Sequence, residues 1–181
     1  VGADFDKVLE DLRSKLQANA WPILIPIGAE DRLKGQIDII NRKAVLYSDD
    51  DLLGSTYKIE ELSAEQREIA DVAYASLEAQ LVELDEILGT MFLEEKAITP
   101  QAVKAALRRQ TIASRIVPVV GGSAFKNKGV QYLIDAVVDY LPSPLDVPAA
   151  QGLDPDDPER TIEAPTGDGE KFCSLAFKLW A

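Results

Sequence analysis

Ile116-Val117-Pro118-Val119-Val120-Gly121-Gly122-Ser123-Ala124-Phe125-Lys126-Asn127-Lys128-Gly129-Val130-Gln131 is the stretch on which the fold turns. Five apolar residues with no polar break read as a buried strand. They run straight into a Gly-rich loop. Beyond it Val130, Leu133, Ile134, Val137, Val138 and Leu141 recur at helical spacing, and Pro142 and Pro144 stop the helix. Strand, glycine turn and amphipathic helix is the arrangement at the edge of ligand pockets in parallel α/β sheets, beyond the strand C-termini. The same spacing also describes an ordinary tight strand-to-helix turn. Glycines let the backbone approach a flat ring closely, which leaves the Ala124 N–H to donate to a planar base. Guanine offers the acceptor O6 where adenine presents an amino donor, so one N–H discriminates between them by about 1–3 kcal/mol.

Upstream, Phe5, Val8, Leu9, Leu12 and Leu16 make one helical stripe, with Asp6, Glu10 and Asp11 elsewhere. The Asn19-Ala20 turn ends this helix and Pro22 prevents its continuation. Ile23-Leu24-Ile25-Pro26-Ile27 reads as a buried strand. From Lys34 to Leu62 the pattern predicts a small antiparallel sheet: Gln36-Ile37-Asp38-Ile39 alternates, Lys43–Tyr47 and Thr56–Leu62 follow, and Asp49-Asp50-Asp51 with Gly54 supplies turn chemistry. Ser63-Ala64-Glu65-Gln66 has the form of a capping box. It opens a long helix running to about Glu94, lined by Ile69, Val72, Ala73, Leu77, Leu81, Leu84, Leu88 and Met91. Thr99-Pro100 opens another, with Val103, Ala106 and Leu107 inward and Arg108, Arg109 and Arg115 at its end. Downstream, residues 142–171 hold six of the ten prolines and little apolar periodicity, which predicts a linker or crossing strap. Phe172–Leu179 alternates like a first strand whose sheet partners lie elsewhere.

Composition narrows the chemistry. The 181 residues are 46% apolar and 28% charged, as in ordinary soluble domains, and no apolar run approaches the ~18–20 residues that cross a bilayer. The single cysteine, Cys173, excludes an internal disulfide and points to a reducing compartment. With no histidine, a catalytic triad or zinc site is not expected. A net charge of −12 argues against direct nucleic-acid binding by this segment and suits a basic protein partner or simple solubility. Val1-Gly2-Ala3-Asp4 carries neither a basic nor an apolar leader region, and the expectation is a chain cut from something longer.

The identities go further. Gly122 to Gln131, then Leu133 and Asp135-Ala136-Val137-Val138-Asp139-Tyr140-Leu141-Pro142-Ser143-Pro144, closely resemble the elongation factor G family of translational GTPases. Pro26-Ile27-Gly28-Ala29-Glu30-Asp31, Lys34-Gly35, Asp38, Leu107-Arg108, Thr111-Ile112 and Leu175-Ala176-Phe177-Lys178 resemble it too, in order along the chain. Gly121, where many members have Cys, and Leu179-Trp180 depart from the pattern and leave a paralogue open.

The resemblance implies an α/β architecture: a G′ subdomain with a small antiparallel sheet and two helices, flanked by the C-terminal strand and helices of a P-loop-type GTPase G domain. By the same resemblance residues 1–17 are a G-domain helix, 18–114 the inserted G′ subdomain, 115–145 the last strand, guanine loop and helix of the G domain, 146–170 a linker, and 171–181 the first strand of a second-domain barrel. Ser123, Ala124 and Phe125 become part of a guanine pocket wall, with Lys126 a further candidate. The implied parent is cytoplasmic, binds GTP or GDP with Mg²⁺, and drives tRNA–mRNA translocation on the ribosome. Its acidic helix would meet the ribosomal stalk protein through Glu78, Glu83, Asp85 and Glu86, or else be a solvated face.

No G-x-x-x-x-G-K-[ST] occurs in the chain, so nothing here cradles the β- and γ-phosphates. Asp51-Leu52-Leu53-Gly54 matches the bare D-x-x-G pattern but sits in a hairpin tip and reads as a turn. The chain alone is therefore expected to bind no nucleotide and hydrolyse none. Two rival readings stay open: a recycling or ribosome-protection paralogue, and a nucleotide-independent interaction module.

Overall fold

Asp4 starts the first helix, α1 (Phe5–Leu16), by accepting from the Lys7 N–H at 3.0 Å, and Gln17 ends it in the left-handed region at φ 52°. The computed structural model describes residues 2–48, 56–174 and 177–178. Of the α1 stripe only Leu9 is buried, while Val8 and Leu16 are exposed. The chain divides into two compact units, residues 1–141 and 142–181.

The first unit is built on a five-stranded mixed sheet in the order β4-β3-β2-β1-β5, formed by β1 (Ala20–Ile27), β2 (Gly35–Asp38), β3 (Lys43–Tyr47), β4 (Tyr57–Glu61) and β5 (Val117–Val120). β1 to β4 pair antiparallel and β5 joins β1 in parallel, with Ala20 opposite Val117. The small antiparallel sheet is thus present, but it is continuous with the strand before the glycine loop rather than separate from it. Pro22 lies inside β1 instead of ahead of it: Asn19 bonds β5, so the donorless edge of Pro22 faces the β2 side, where pairing begins only at Leu24. Pro26 is tolerated for another reason. The Ile23 and Ile27 carbonyls accept from Ile39 and Lys34, so odd residues of β1 bond β2. The donorless edge of Pro26 then falls on the other side, beyond the end of β5.

The capping box forms as read: Ser63 Oγ accepts from the Gln66 N–H at 3.2 Å and Gln66 Oε1 from the Ser63 N–H at 3.0 Å. The helix it opens does not reach Glu94. It stops as α2 (Ala64–Leu84), and a separate α3 (Glu86–Leu93) follows. Asp85 is the cause. Its backbone is extended (φ −110°, ψ 111°), its N–H closes α2 on Leu81, and its carboxylate caps α3 at the Leu88 N–H, 3.0 Å away. Facing inward from α2 are Ala70, Tyr74, Leu77 and Leu81, whereas Ile69 and Val72 are exposed. Helix α4 (Pro100–Ile112) is capped by Thr99 and buries Val103, Ala106 and Leu107 as expected. With α5 (Val130–Tyr140) the described residues hold five α-helices, one more than the four read from the sequence, because the long helix is split at Asp85.

One core gathers Ile23, Ile39, Leu77, Leu81, Leu107 and Ile116, among others, and a smaller one joins Ile37, Ala44, Leu62 and Ala70. Helix α4 packs on α2, α3 and α5, and α1 packs on β1. All of β2 is buried, although its polar alternation reads as half-exposed. Ile37 goes to the small core with Ala70 of α2, while Gln36 turns toward the loop after β5. Arg108 Nη1 donates to the carbonyls of Val138, Asp139 and Leu141 at 3.2, 2.8 and 3.2 Å, which satisfies the orphan C-terminus of α5.

The second unit departs from the linker expectation. β6 (Ala150–Leu153) and β7 (Thr161–Ala164) form an antiparallel hairpin, closed by the Asp154 N–H on the Arg160 carbonyl at 2.9 Å. Pro155 and Pro158 fall in its turn, and both strands are largely exposed, so no apolar alternation marks them. Residues 172–174 and 177–178 are not in a strand, and Leu175, Ala176 and Leu179 lie outside the described residues, as does Asp51-Leu52-Leu53-Gly54. No helix among the described residues is long and apolar enough to cross a membrane.

Candidate functional site

β5 delivers the chain to Gly121-Gly122 at its C-terminal end, where a parallel strand releases a loop toward ligand. The loop closes on itself. Ser123 and Lys128 exchange two main-chain hydrogen bonds of 2.9 and 3.0 Å, and the Asn127 N–H returns to the Ala124 carbonyl at 3.1 Å. Ser123 Oγ accepts from the Lys126 N–H at 3.3 Å, which holds the inside of the turn. Asn127 and Gly129 take positive φ, 53° and 93°, and Gly129 then leads into α5.

The four candidate residues therefore sit on one tight turn and do different things. Phe125 is 96% exposed. Lys126 Nζ donates to the carbonyls of Glu30 and Asp31 at 3.2 and 3.0 Å, so the ammonium clamps the short 3₁₀ turn at residues 30–32. Ser123 is half-buried, and its hydroxyl is engaged within the turn. Ala124 is exposed, its carbonyl is taken by Asn127, and its N–H has no acceptor among the described residues. A groove of about 240 Å³ runs beside the turn, lined by Gly121, Gly122, Ala124, Lys128, Gly129 and Leu133. Another, of about 290 Å³, opens where Phe5, Pro26, Gly28 and Gly121 meet.

The loop is held by residues that sequence reasoning did not single out. Lys128 is 6% exposed and its Nζ donates to the Leu33 carbonyl at 2.9 Å. Gln36, 1% exposed, donates through Nε2 to the Gly121 carbonyl, and its Oε1 accepts from the Tyr47 hydroxyl at 3.2 Å. Burial, with Tyr132 nearby, pushes the Tyr47 hydroxyl up to about 12, opposed by a hydrogen bond from the Gly129 backbone. Tyr47, Tyr57 and Tyr132 stack edgewise, with centroids 5.9 and 5.6 Å apart, and tie β3 and β4 to the first turn of α5. The available signal was one glutamine in a strand whose every residue is buried, and alternation alone assigns such a residue to solvent.

The acidic candidates do not form one set. Glu83 and Glu86 are exposed, and Glu78 is half-buried beside the Tyr74 hydroxyl at 3.5 Å. Asp85 is 2% exposed and leaves the set. Its carboxylate accepts from Arg109 Nε at 2.8 Å, Arg109 Nη2 at 2.7 Å and Gln110 Nε2 at 3.0 Å. Arg109 above all holds it down at about 2. An interior carboxylate already paired with a guanidinium has no free charge to offer a partner.

β5 is the last strand of the sheet, and its outer edge is unpaired among the described residues. Beside that edge Val117, Leu133, Val137 and Leu141 are partly exposed around an apolar groove of about 340 Å³.

No protein-family model matches the chain. Among solved structures it is similar to a crystal structure of a Thermus thermophilus protein that bears no functional name, with a TM-score of 0.69 and 29% identity. The match covers 80% of this chain and 21% of that one, so this chain spans about a fifth of the neighbour's length. The likeness establishes a shared mixed α/β fold.

Proposed function

We propose that the chain is the guanine-side segment of a cytoplasmic translational GTPase resembling elongation factor G, whose parent hydrolyses GTP to drive tRNA–mRNA movement on the ribosome. The observation that carries this reading is the Ser123-Ala124 turn: a tight loop at the C-terminal end of a parallel strand, with the Ala124 N–H unclaimed among the described residues. That donor suits guanine O6 and opposes the adenine amino group. The outer edge of β5, unpaired among the described residues and with apolar side chains around it, is what a sheet leaves when its next strand is supplied from elsewhere, and supports placing residues 115–145 in a larger P-loop-type G domain. Phosphate and Mg²⁺ contacts would then come from outside these residues. Residues 18–114 would be the G′ insert, with Glu78, Glu83 and Glu86 toward the stalk protein.

Calorimetry tests the reading. The full-length protein should bind GDP with at least about tenfold preference over ADP, the lower part of what one satisfied O6 contact supplies. The isolated 181-residue chain should give no measurable heat with either. Preference for ADP in the full-length protein, or micromolar GDP binding by the isolated chain, would overturn it.

A further inference from the structure

We propose that Gln36 is a positioning residue that sets base selectivity at the Ser123–Lys126 turn, an inference that rests on the guanine reading above. Four side-chain hydrogen bonds join the loop to one short sequence-distant segment, residues 30–36. Lys126 holds the Glu30 and Asp31 carbonyls, Lys128 holds the Leu33 carbonyl, and Gln36 holds the Gly121 carbonyl. Of these, Gln36 alone reaches the loop where it leaves β5 and where it enters α5. A Cβ on Gly122 would stand 3.3 Å from Gln36 Nε2, and one on Gly129 would land on the same amide. The carboxamide is thus wedged between the entry and the exit of the loop, and Tyr47 fixes its other end.

The chemistry of the wedge is directional. Nε2 is the donor the Gly121 carbonyl uses and Oε1 the acceptor the Tyr47 hydroxyl uses, so the amide has one productive orientation. A leucine of similar size leaves both partners without their hydrogen bonds inside a closed site. The loop ends are then free to shift, and the Ala124 N–H moves with them, because it lies only two residues beyond Gly122. Hydrogen bonds weaken steeply with distance and angle. The O6 contact is accordingly the interaction that registers a small displacement, whereas the phosphate contacts would come from outside these residues.

The experiment uses the full-length protein and three nucleotides: GDP, IDP, which keeps O6 and lacks the 2-amino group, and ADP, which lacks O6. Gln36→Leu should lower the ratio of ADP to GDP dissociation constants about tenfold, with the IDP to GDP ratio unchanged. Gln36→Glu, which keeps an acceptor for Tyr47 and loses the donor to Gly121, should lower it in the same direction and carries the test if the leucine variant fails to fold. Equal weakening of all three nucleotides in a folded variant would overturn the inference, since loss of structure alone does that. So would an ADP to GDP ratio within twofold of wild type in both variants. A wild-type protein without guanine preference instead removes the underlying reading, so the two failures are distinct.

Discussion

Replacing Asp85 asks whether one buried carboxylate joins α2, α3 and α4. Asp85→Ala removes the cap on the Leu88 N–H, the paired bonds from Arg109 and the bond from Gln110 in one step. An N-cap is worth about 1 kcal/mol, and a hydrogen bond to a charged partner about 1.5–3 kcal/mol. Breaking a fully buried pair costs about 3–5 kcal/mol because a charge is stranded. Arg109, however, keeps 40% of its side chain in water and can be resolvated, so the expected loss is about 3 kcal/mol, the bottom of that range. Asp85→Asn keeps the cap and loses the charge, and should cost about half as much.

The pH dependence separates charge from shape. The folded-state carboxyl lies at about 2, below its ordinary 3.8. A lowered value means that the ionised form is favoured on folding. The contribution is complete above pH ~4 and is lost as pH falls through ~2, and by the shift it amounts to roughly 2 kcal/mol. Urea unfolding of wild type and Asp85→Asn at pH 7 and pH 2 should therefore show a stability gap that nearly closes in acid. A gap of the same size at both pH values, or an Asp85→Ala loss below about 0.5 kcal/mol, would refute the assignment of this network.

Charge reversal at Glu83 together with Glu78 should slow association with the ribosomal stalk protein in stopped flow several-fold at low salt, with the difference fading at high salt; equal rates would remove those residues from any docking surface. Gly129→Ala places a methyl on Gln36 at a backbone φ of 93° and should destabilise the chain by at least about 2 kcal/mol in urea; an unchanged midpoint would contradict the close approach.

Local signals were legible where a residue acts on its own neighbours. The Ser63–Gln66 box, the Thr99 cap, the Val130–Leu141 helix and the three strands between Gly35 and Glu61 all form near where composition and spacing predict. The misses come from partners distant in sequence. The local sequence marks Asp85 as a helix break only through its choice as an N-cap; what holds its carboxylate buried there is Arg109 and Gln110 in another helix. Of the stripe read for this helix, Leu77, Leu81 and Leu88 are buried and Ala73, Leu84 and Met91 pack against the core; Ile69 and Val72 face out because the start of α2 turns Ala70 and Tyr74 inward instead. At the candidate site the turn itself was readable from Gly121 to Gly129. Its support by Gln36 and Tyr47 was not, since a polar residue buried by tertiary contact looks in sequence like one facing water.

The join between residues 18–114 and the strand that follows has a definite geometry. Asn19 Nδ2 donates to the Arg115 carbonyl at 2.8 Å, and the Val117 N–H returns to the Asn19 carbonyl at 2.9 Å, so the two ends of the segment are latched together. An insertion with neighbouring ends adds little closure entropy to its host. Yet β1, which lies inside that segment, is also the partner of β5, so the segment is joined to the residues that follow it by a shared sheet. The connection passes through β2. Ile37 packs with Ala70 of the acidic helix, and the next residue back, Gln36, holds the carbonyl from which the glycine turn departs. Two adjacent side chains on opposite faces of one strand thus connect the helix proposed for the stalk protein with the turn proposed for guanine.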